Sequence, residues 1–262
     1  MMNIKIDVPR PLELAIIYNC NLACDGCSHF SDQKHNWSIS LQQVDKWLSP
    51  WSKIVNPDFF SVLGGEPTLH NDLCEILKKC RMYFPGDFLF TTNAFFLHKH
   101  LDLECVLFEY DIKLKVAVHS DDSKYLRQVG KNLETVKTWQ KRGLEVLWAE
   151  LQTEGWRKNY KGTGSDMLPF DDKSPRSSWE ACPCRCYQIV DGKIWKCPQI
   201  AYLSMQYAKY KMGDEWLPYL QWEPLSLDSS FKDKVEFFQR EEEFICGMCP
   251  AKTNYIKRGS PQ

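Results

Sequence analysis

The 262-residue chain has no excess of charge of either sign. Its 33 basic residues are matched by 34 acidic ones, for a net charge of −1, and no long basic run occurs. That balance gives no support to a nucleic-acid partner. The N-terminus, Met1-Met2-Asn3-Ile4-Lys5-Ile6-Asp7, lacks the apolar core of a signal peptide, and no stretch of 18 apolar residues is present. The expectation is a soluble, cytoplasmic protein with no membrane partner. Internal repeats and low-complexity tracts are also missing, which excludes a repeat architecture. What the chain has in quantity is cysteine, 12 in all. In a reducing compartment so many thiols point to metal rather than to disulfides. With 44% apolar and 13% aromatic residues the chain can bury a core. Its length suits one sizeable domain plus a small one.

Three of the cysteines stand in one short run, Cys20-Asn-Leu-Ala-Cys24-Asp-Gly-Cys27, directly after the apolar residues 12–18. Three thiolates in a tight loop at the mouth of a strand make a metal site. Iron–sulfur clusters are normally held by four cysteines, so three leave one position open to a small molecule. Zinc on Cys20, Cys24, Cys27 and His29 is the other reading of the same residues. Residues 58–63, Asp-Phe-Phe-Ser-Val-Leu, read as a buried strand, and Gly64-Gly65-Glu66-Pro67 follows at once. Two glycines let a backbone approach a ligand closely, and a carboxylate beside them can hold an ammonium group. Taken alone, the four residues read first as an ordinary turn.

In this order, the two motifs resemble the signature of radical S-adenosylmethionine (radical SAM) enzymes. The resemblance implies a [4Fe–4S] cluster on Cys20, Cys24 and Cys27, with S-adenosylmethionine on its remaining iron. It implies that Gly64, Gly65 and Glu66 hold the amino group of that cofactor. It also makes Asn93 and Ser120, at the ends of the third and fourth strands, candidate cofactor contacts. Arg127, one turn into the next helix, is a candidate partner for the cofactor carboxylate. One departure stands out: the residue before the third cysteine, usually aromatic in the family, is Gly26.

Strand patterns at residues 12–18, 59–63, 88–92, 114–118 and 144–151 alternate with helix patterns. The helices are expected at 41–55, capped by Ser40 and kinked or broken at Pro50, at 72–83, and at 123–142, closed by Gly143. The alternation predicts a parallel sheet with crossover helices. Its size points to a partial (β/α)6 TIM-like barrel over residues 1–175, which the resemblance also implies. In such sheets chemistry sits at the C-terminal strand ends, where both motifs lie. Glu150, Trp156, Arg157 and Lys158, near the end of the fifth strand, are candidate pocket residues. His29, His35 and His70 fall near the same face, with no catalytic role assigned. Cys74, Cys80 and Cys105 read as core residues.

Six further cysteines follow residue 180: Cys182, Cys184, Cys186, Cys197, Cys246 and Cys249. Residues 190–198 read as a hairpin with Asp191-Gly192 at its turn. Cys246-Gly-Met-Cys249 has the spacing of one metal centre, and a structural zinc ribbon is one reading. An upstream cysteine, then Gly192-x4-Cys197, then C-x2-C resembles the twitch-type (SPASM-like) auxiliary domain of some radical SAM enzymes. The resemblance implies one auxiliary [4Fe–4S] cluster in residues 176–262. Its ligands would be Cys197, Cys246, Cys249 and either Cys182 or Cys186.

The family's chemistry is then the expectation. An external donor such as flavodoxin or ferredoxin reduces the first cluster, S-adenosylmethionine is cleaved, and a 5′-deoxyadenosyl radical takes a hydrogen atom from the substrate. Short members with one auxiliary cluster include dehydrogenases of the 2-deoxy-scyllo-inosamine type. Residues 24–31 also resemble radical SAM proteins found with polysaccharide genes. Both resemblances imply two-electron oxidation of a small, carbohydrate-like molecule. A peptide or protein maturase is the alternative, and the expected start of the first strand by residue 12 leaves little room for a leader-recognition segment before it. A zinc-stabilised binding module is the non-enzymatic reading.

Overall fold

Alternating apolar strands and amphipathic helices need a shared face to bury, and here they find it in a mostly parallel sheet. The structure, a computed structural model, describes residues 5–149, 156–252 and 255–256. Its strands are β1 (Ile6–Val8), β2 (Leu12–Ala15), β3 (Val55–Pro57), β4 (Phe59–Leu63), β5 (Asp87–Thr92), β6 (Lys113–Ala117), β7 (Val146–Ala149), β8 (Trp156–Arg157), β9 (Tyr187–Val190), β10 (Lys193–Trp195) and β11 (Tyr255–Ile256). The helices that matter below are α1 (Leu41–Ser52), α2 (Leu73–Tyr83), α3 (Leu103–Glu109), α4 (Ser123–Lys141), α5 (Pro175–Glu180) and α6 (Pro198–Ala201).

Seven strands form one sheet in the order β10-β9-β2-β4-β5-β6-β7. All neighbours run parallel except the β9–β10 hairpin. The fold is α/β, a partial TIM-like barrel with a cysteine-rich C-terminal region. The sheet does hold six parallel strands, but the sixth is β9, seated beside β2 rather than beyond β7. The hydrogen-bonded sheet thus crosses residue 175: Leu12 pairs with Tyr187 and Glu13 with Gln188.

One register row, Leu14–Val62–Phe90–Leu114–Val146, is buried under the helices. Helix α2 covers it with Leu73, Ile76, Leu77 and Cys80, the stripe expected from the sequence. Each such aliphatic or aromatic side chain contributes about 1.5–3 kcal/mol by leaving water. The adjacent row, Gln188–Glu13–Ser61–Leu89–Lys113, points the other way, into the barrel.

Several boundaries differ from the sequence reading. The first strand stops at Ala15, after which Ile17 bridges to Ser38. Helix α1 begins with a capping box, in which Ser40 and Gln43 bond reciprocally, and ends at Ser52, with Pro50 in its last turn. A proline so near the end removes only one interior hydrogen bond, and the helix stops two residues later, at Ser52. Cys105 is exposed rather than in the core, because α3 buries Leu103, Val106 and Leu107 on its other side. The hairpin turn is as read: Asp191 and Gly192 both have positive φ, and the Trp51 indole N–H donates to Gly192 O at 2.7 Å.

Candidate functional site

The C-terminal ends of β2, β4, β5 and β6 open onto one cavity. Cys20, Cys24 and Cys27 line it, as do Gly64, Gly65, Glu66 and Asn93. The two motifs read from the sequence therefore share one wall, because their parent strands β2 and β4 are parallel neighbours.

The glycines have a role that the sequence did not disclose. A Cβ on Gly64 would lie 2.4 Å from Ile17 O, and one on Gly65 would lie 2.2 Å from Asn19 O. Gly65 N donates to Ile17 O at 2.7 Å, and Glu66 N donates to Asn19 O at 3.0 Å. The missing side chains let the Gly-Gly-Glu turn lie flat against the backbone that leads into Cys20. Whatever ligand lies beyond, their first contact is with the cysteine loop.

Glu66 is 1% exposed and heavily bonded. Its Oε1 accepts from Thr68 N at 3.0 Å, from the Thr68 hydroxyl at 2.5 Å and from the Thr92 hydroxyl at 2.6 Å. Among the described residues, its Oε2 accepts only from Asn93 N, at 2.7 Å. Burial pushes the carboxyl above its ordinary range, and these hydrogen bonds pull it back. A carboxylate oxygen can take two donors, so Oε2 has room for one more. Asn93 extends the arrangement: its amide donates to Asn21 Oδ1 at 2.9 Å and lies 3.9 Å from Cys20 Sγ.

Burial raises the Cys20 and Cys27 thiols, aided by the Glu66 charge near Cys20 and the Asp32 charge near Cys27. Opposing this, the backbone N–H groups of His29, Ser31 and Asp32 face the Cys27 sulfur. Cys24 Sγ lies 3.6 Å from His119 Nδ1. Such thiols become thiolates when a metal supplies positive charge. Among the described residues, no three His, Cys, Asp or Glu side chains gather around a point where a single ion could sit. A tetrahedral zinc needs that convergence. A four-iron cluster, taking each thiolate on a separate iron, does not. The donor set fits a [4Fe–4S] cluster.

Not every expected residue reaches the cavity. Ser120 is buried but its hydroxyl accepts from Asp122 N at 3.1 Å, at the cap of α4, and it is not in the cavity lining. Arg127 is exposed on α4 and does not line it either. Arg157 donates to Ala181 O and to Pro250 O and is not in the cavity lining, while Lys158 lies 3.8 Å from Asp25 in the cysteine loop. Glu150 and the Trp156 side chain lie outside the described residues. Of the three histidines, His29 lines the cavity, His35 bonds Gln206, and His70 ties Ile39 O to Asp72 N.

The charged residues of the lining that were missed include Glu13 and Lys115. They stand on β2 and β6 and interact electrostatically across the barrel, and burial is what raises the Glu13 carboxyl. A lone charge inside an apolar strand pattern, Leu12-Glu13-Leu14 or Leu114-Lys115-Val116, was the available signal. In a barrel strand, every second residue faces the interior.

A second cavity is lined by Cys182, Cys184, Cys197, Cys246 and Cys249. Cys186 is not among them: its sulfur bonds Gln188 at 3.7 Å and Glu13, on the side of the first site. Strand pleating explains the switch, since Cys186 leads into β9, whose Gln188 pairs with Glu13. The geometry therefore favours Cys182 over Cys186 beside Cys197, Cys246 and Cys249, and brings in Cys184. Cys182 is held below the ordinary thiol range, first by the Cys184 thiol, whose backbone N–H also donates to its sulfur at 3.3 Å. Burial keeps Cys197 high, at about 12, although the N–H groups of Ile200 and Gln199 face it. The two cavities share a thin wall. Gln199, from the second, donates to Ser28 O, from the first, at 3.0 Å.

No protein-family model matches the chain. Curated relatives include a probable GTP 3′,8-cyclase of Saccharolobus islandicus, 27% identical over 123 residues, which make up 46% of this chain and 39% of that protein. Another protein of that name, from Methanococcus maripaludis, is 27% identical over 141 residues, 52% of this chain and 46% of its own. The chain thus spans less than half the length of these relatives. Among solved structures, BtrN in complex with AdoMet and 2-DOIA superposes with a TM-score of 0.51 at 15% identity, covering 95% of this chain and 94% of BtrN. The fold is therefore shared along nearly the whole chain. The chain therefore shares its fold with BtrN, and its C-x3-C-x2-C loop and Gly-Gly-Glu turn, joined at neighbouring parallel strand ends, resemble the radical SAM signature.

Proposed function

We propose that this protein is a radical SAM dehydrogenase that removes two electrons from a small, polar, carbohydrate-like substrate. Cys20, Cys24 and Cys27 would hold the catalytic [4Fe–4S] cluster, and Glu66 Oε2 would accept from the ammonium of S-adenosylmethionine. Cys182, Cys197, Cys246 and Cys249 would hold an auxiliary [4Fe–4S] cluster, in a C-terminal portion over residues 176–262. When bound, these groups supply a 5′-deoxyadenosyl radical that removes a hydrogen atom and an acceptor for the electron left on the substrate. The protein's own part is to orient and to exclude water. Glu13 and Lys115 present an acceptor and a donor to a polar substrate from opposite sides of the barrel. An external donor of the flavodoxin or ferredoxin type would reduce the first site.

The observation that carries this reading is the wall between the two cysteine-lined cavities, bridged by the Gln199–Ser28 hydrogen bond. An electron leaving a substrate at the first site has a second cysteine site next door. BtrN, whose fold the chain shares, was crystallised with the small molecule 2-DOIA. That agrees with the proposal, which does not depend on it.

Replacing Cys246 and Cys249 together by Ala tests the proposal. Cleavage of S-adenosylmethionine should continue, while oxidised product should fall to background. Circular dichroism guards against loss of fold, since metal ligation often contributes to folding. A folded variant that oxidises substrate at the parent rate would remove the second site from the reaction. A redox-neutral or peptide-modifying reaction would then be the better reading.

A further inference from the structure

Arg157 is a buried cation, 8% exposed, with no ion-pair partner among the described residues. Its two terminal nitrogens donate to Ala181 O and to Pro250 O, the latter at 3.0 Å, and its Nε is buried with no hydrogen-bond partner. A guanidinium stays charged in a protein. Burying that charge without a counter-charge costs several kcal/mol.

The two carbonyls show where the counter-charge belongs. Ala181 immediately precedes Cys182, and Pro250 immediately follows Cys249. One side chain therefore ties together the two segments that bring these cysteines to the second cavity. The other buried cation nearby, Lys196, has its own partner in Glu243 at 3.6 Å. Arg157 has none among the described residues.

We infer that Arg157 is a positioning residue and the built-in counter-charge of the second cysteine site: it stabilises the more negative, reduced form of the cluster held there and so raises its reduction potential. The inference rests on the reading that this site holds a [4Fe–4S] cluster. Reduction adds one electron to that cluster; Arg157 makes and breaks no bond and keeps its protons. A higher potential is what an electron acceptor needs, and charge and hydrogen bonding near the sulfurs are known levers on it.

The test measures the second cluster alone, in a Cys20→Ala, Cys24→Ala, Cys27→Ala background, by dithionite titration followed by electron paramagnetic resonance. Adding Arg157→Gln should lower the reduced-to-oxidised ratio at a fixed potential roughly tenfold, about 59 mV for one electron. Arg157→Lys keeps the charge but cannot span both carbonyls, so its drop should be smaller but measurable. Iron and sulfide analysis separates the two possible failures. Roughly four irons per chain with an unchanged potential in both variants overturns the role of Arg157 and leaves the cluster reading standing. A background chain without iron overturns both. If Arg157→Gln loses its iron, Arg157→Lys decides: a lower potential supports the inference, and the parental potential overturns it.

Discussion

At the residue scale, Glu66 shows how one carboxylate can serve the fold and a ligand together. Four protein donors already use it, three on Oε1 and one on Oε2. Oε2 is the oxygen with spare capacity, and Glu66 lines the same cavity as the three cysteines. An amide at this position would turn an N–H toward a donor on one side or the other. Glu66→Gln should therefore weaken S-adenosylmethionine binding by roughly tenfold, about 1.4 kcal/mol, as measured by calorimetry. It should also lower the midpoint of thermal unfolding, because a buried donor loses its partner. Parental affinity in a folded variant would free Glu66 from any role with the cofactor.

At the element scale, the contact between the Gly64-Gly65 turn and the backbone of residues 17–19 is the joint on which the site depends. It is a backbone-to-backbone fit with no space for even a methyl group. Gly65→Ala should cost about 1–3 kcal/mol, the usual penalty for overpacking, in denaturant unfolding. The damage should show first at the cysteine loop, as loss of bound iron from the first site before loss of helical signal. Gly143→Ala is the contrast. It has an empty surround, with strain arising only from its φ of +106°. It should reduce stability without affecting iron content. The hairpin β9–β10 acts at this scale too. It carries Tyr187 and Gln188 onto β2, and the Tyr202 hydroxyl donates to Gln188 Oε1 at 2.8 Å, so the second cysteine region is anchored to the strand that feeds the first.

At the scale of the whole molecule, the two cysteine sites should be separable in assembly though they touch. They draw on different elements: the loop after β2 for one, and the segments flanking α5, β10 and the residues before β11 for the other. Replacing Cys20, Cys24 and Cys27 by Ala should abolish reductive cleavage of S-adenosylmethionine. The same variant should fall from roughly eight irons per chain to four, with unchanged circular dichroism. Cleavage at the parent rate would sink the catalytic assignment. Loss of all iron would show that the second site cannot fill without the first.

Much of this protein was legible before any fold was drawn. The strand–helix alternation, the stripe on α2, the Asp191-Gly192 turn and the two cofactor motifs are local patterns. Each follows from periodicity, from φ preferences or from short spacings that put thiols in one loop. Three things could be settled only by the tertiary structure. The first is that β9, from beyond residue 175, completes the parallel set by joining β2, because nothing in a strand's sequence names its neighbour. The second is the fate of residues that looked alike in the chain. Cys182 and Cys186 are both plausible ligands by spacing, yet one faces the second cavity and the other faces Glu13. Likewise Asn93 reaches the site while Ser120 and Arg127 do not, because a side chain's direction is set by pleat and helix rotation in three dimensions. The third is Arg157, read from the sequence as a candidate pocket residue near the end of the fifth strand. Only the fold buries it between two cysteine segments, with no carboxylate partner among the described residues.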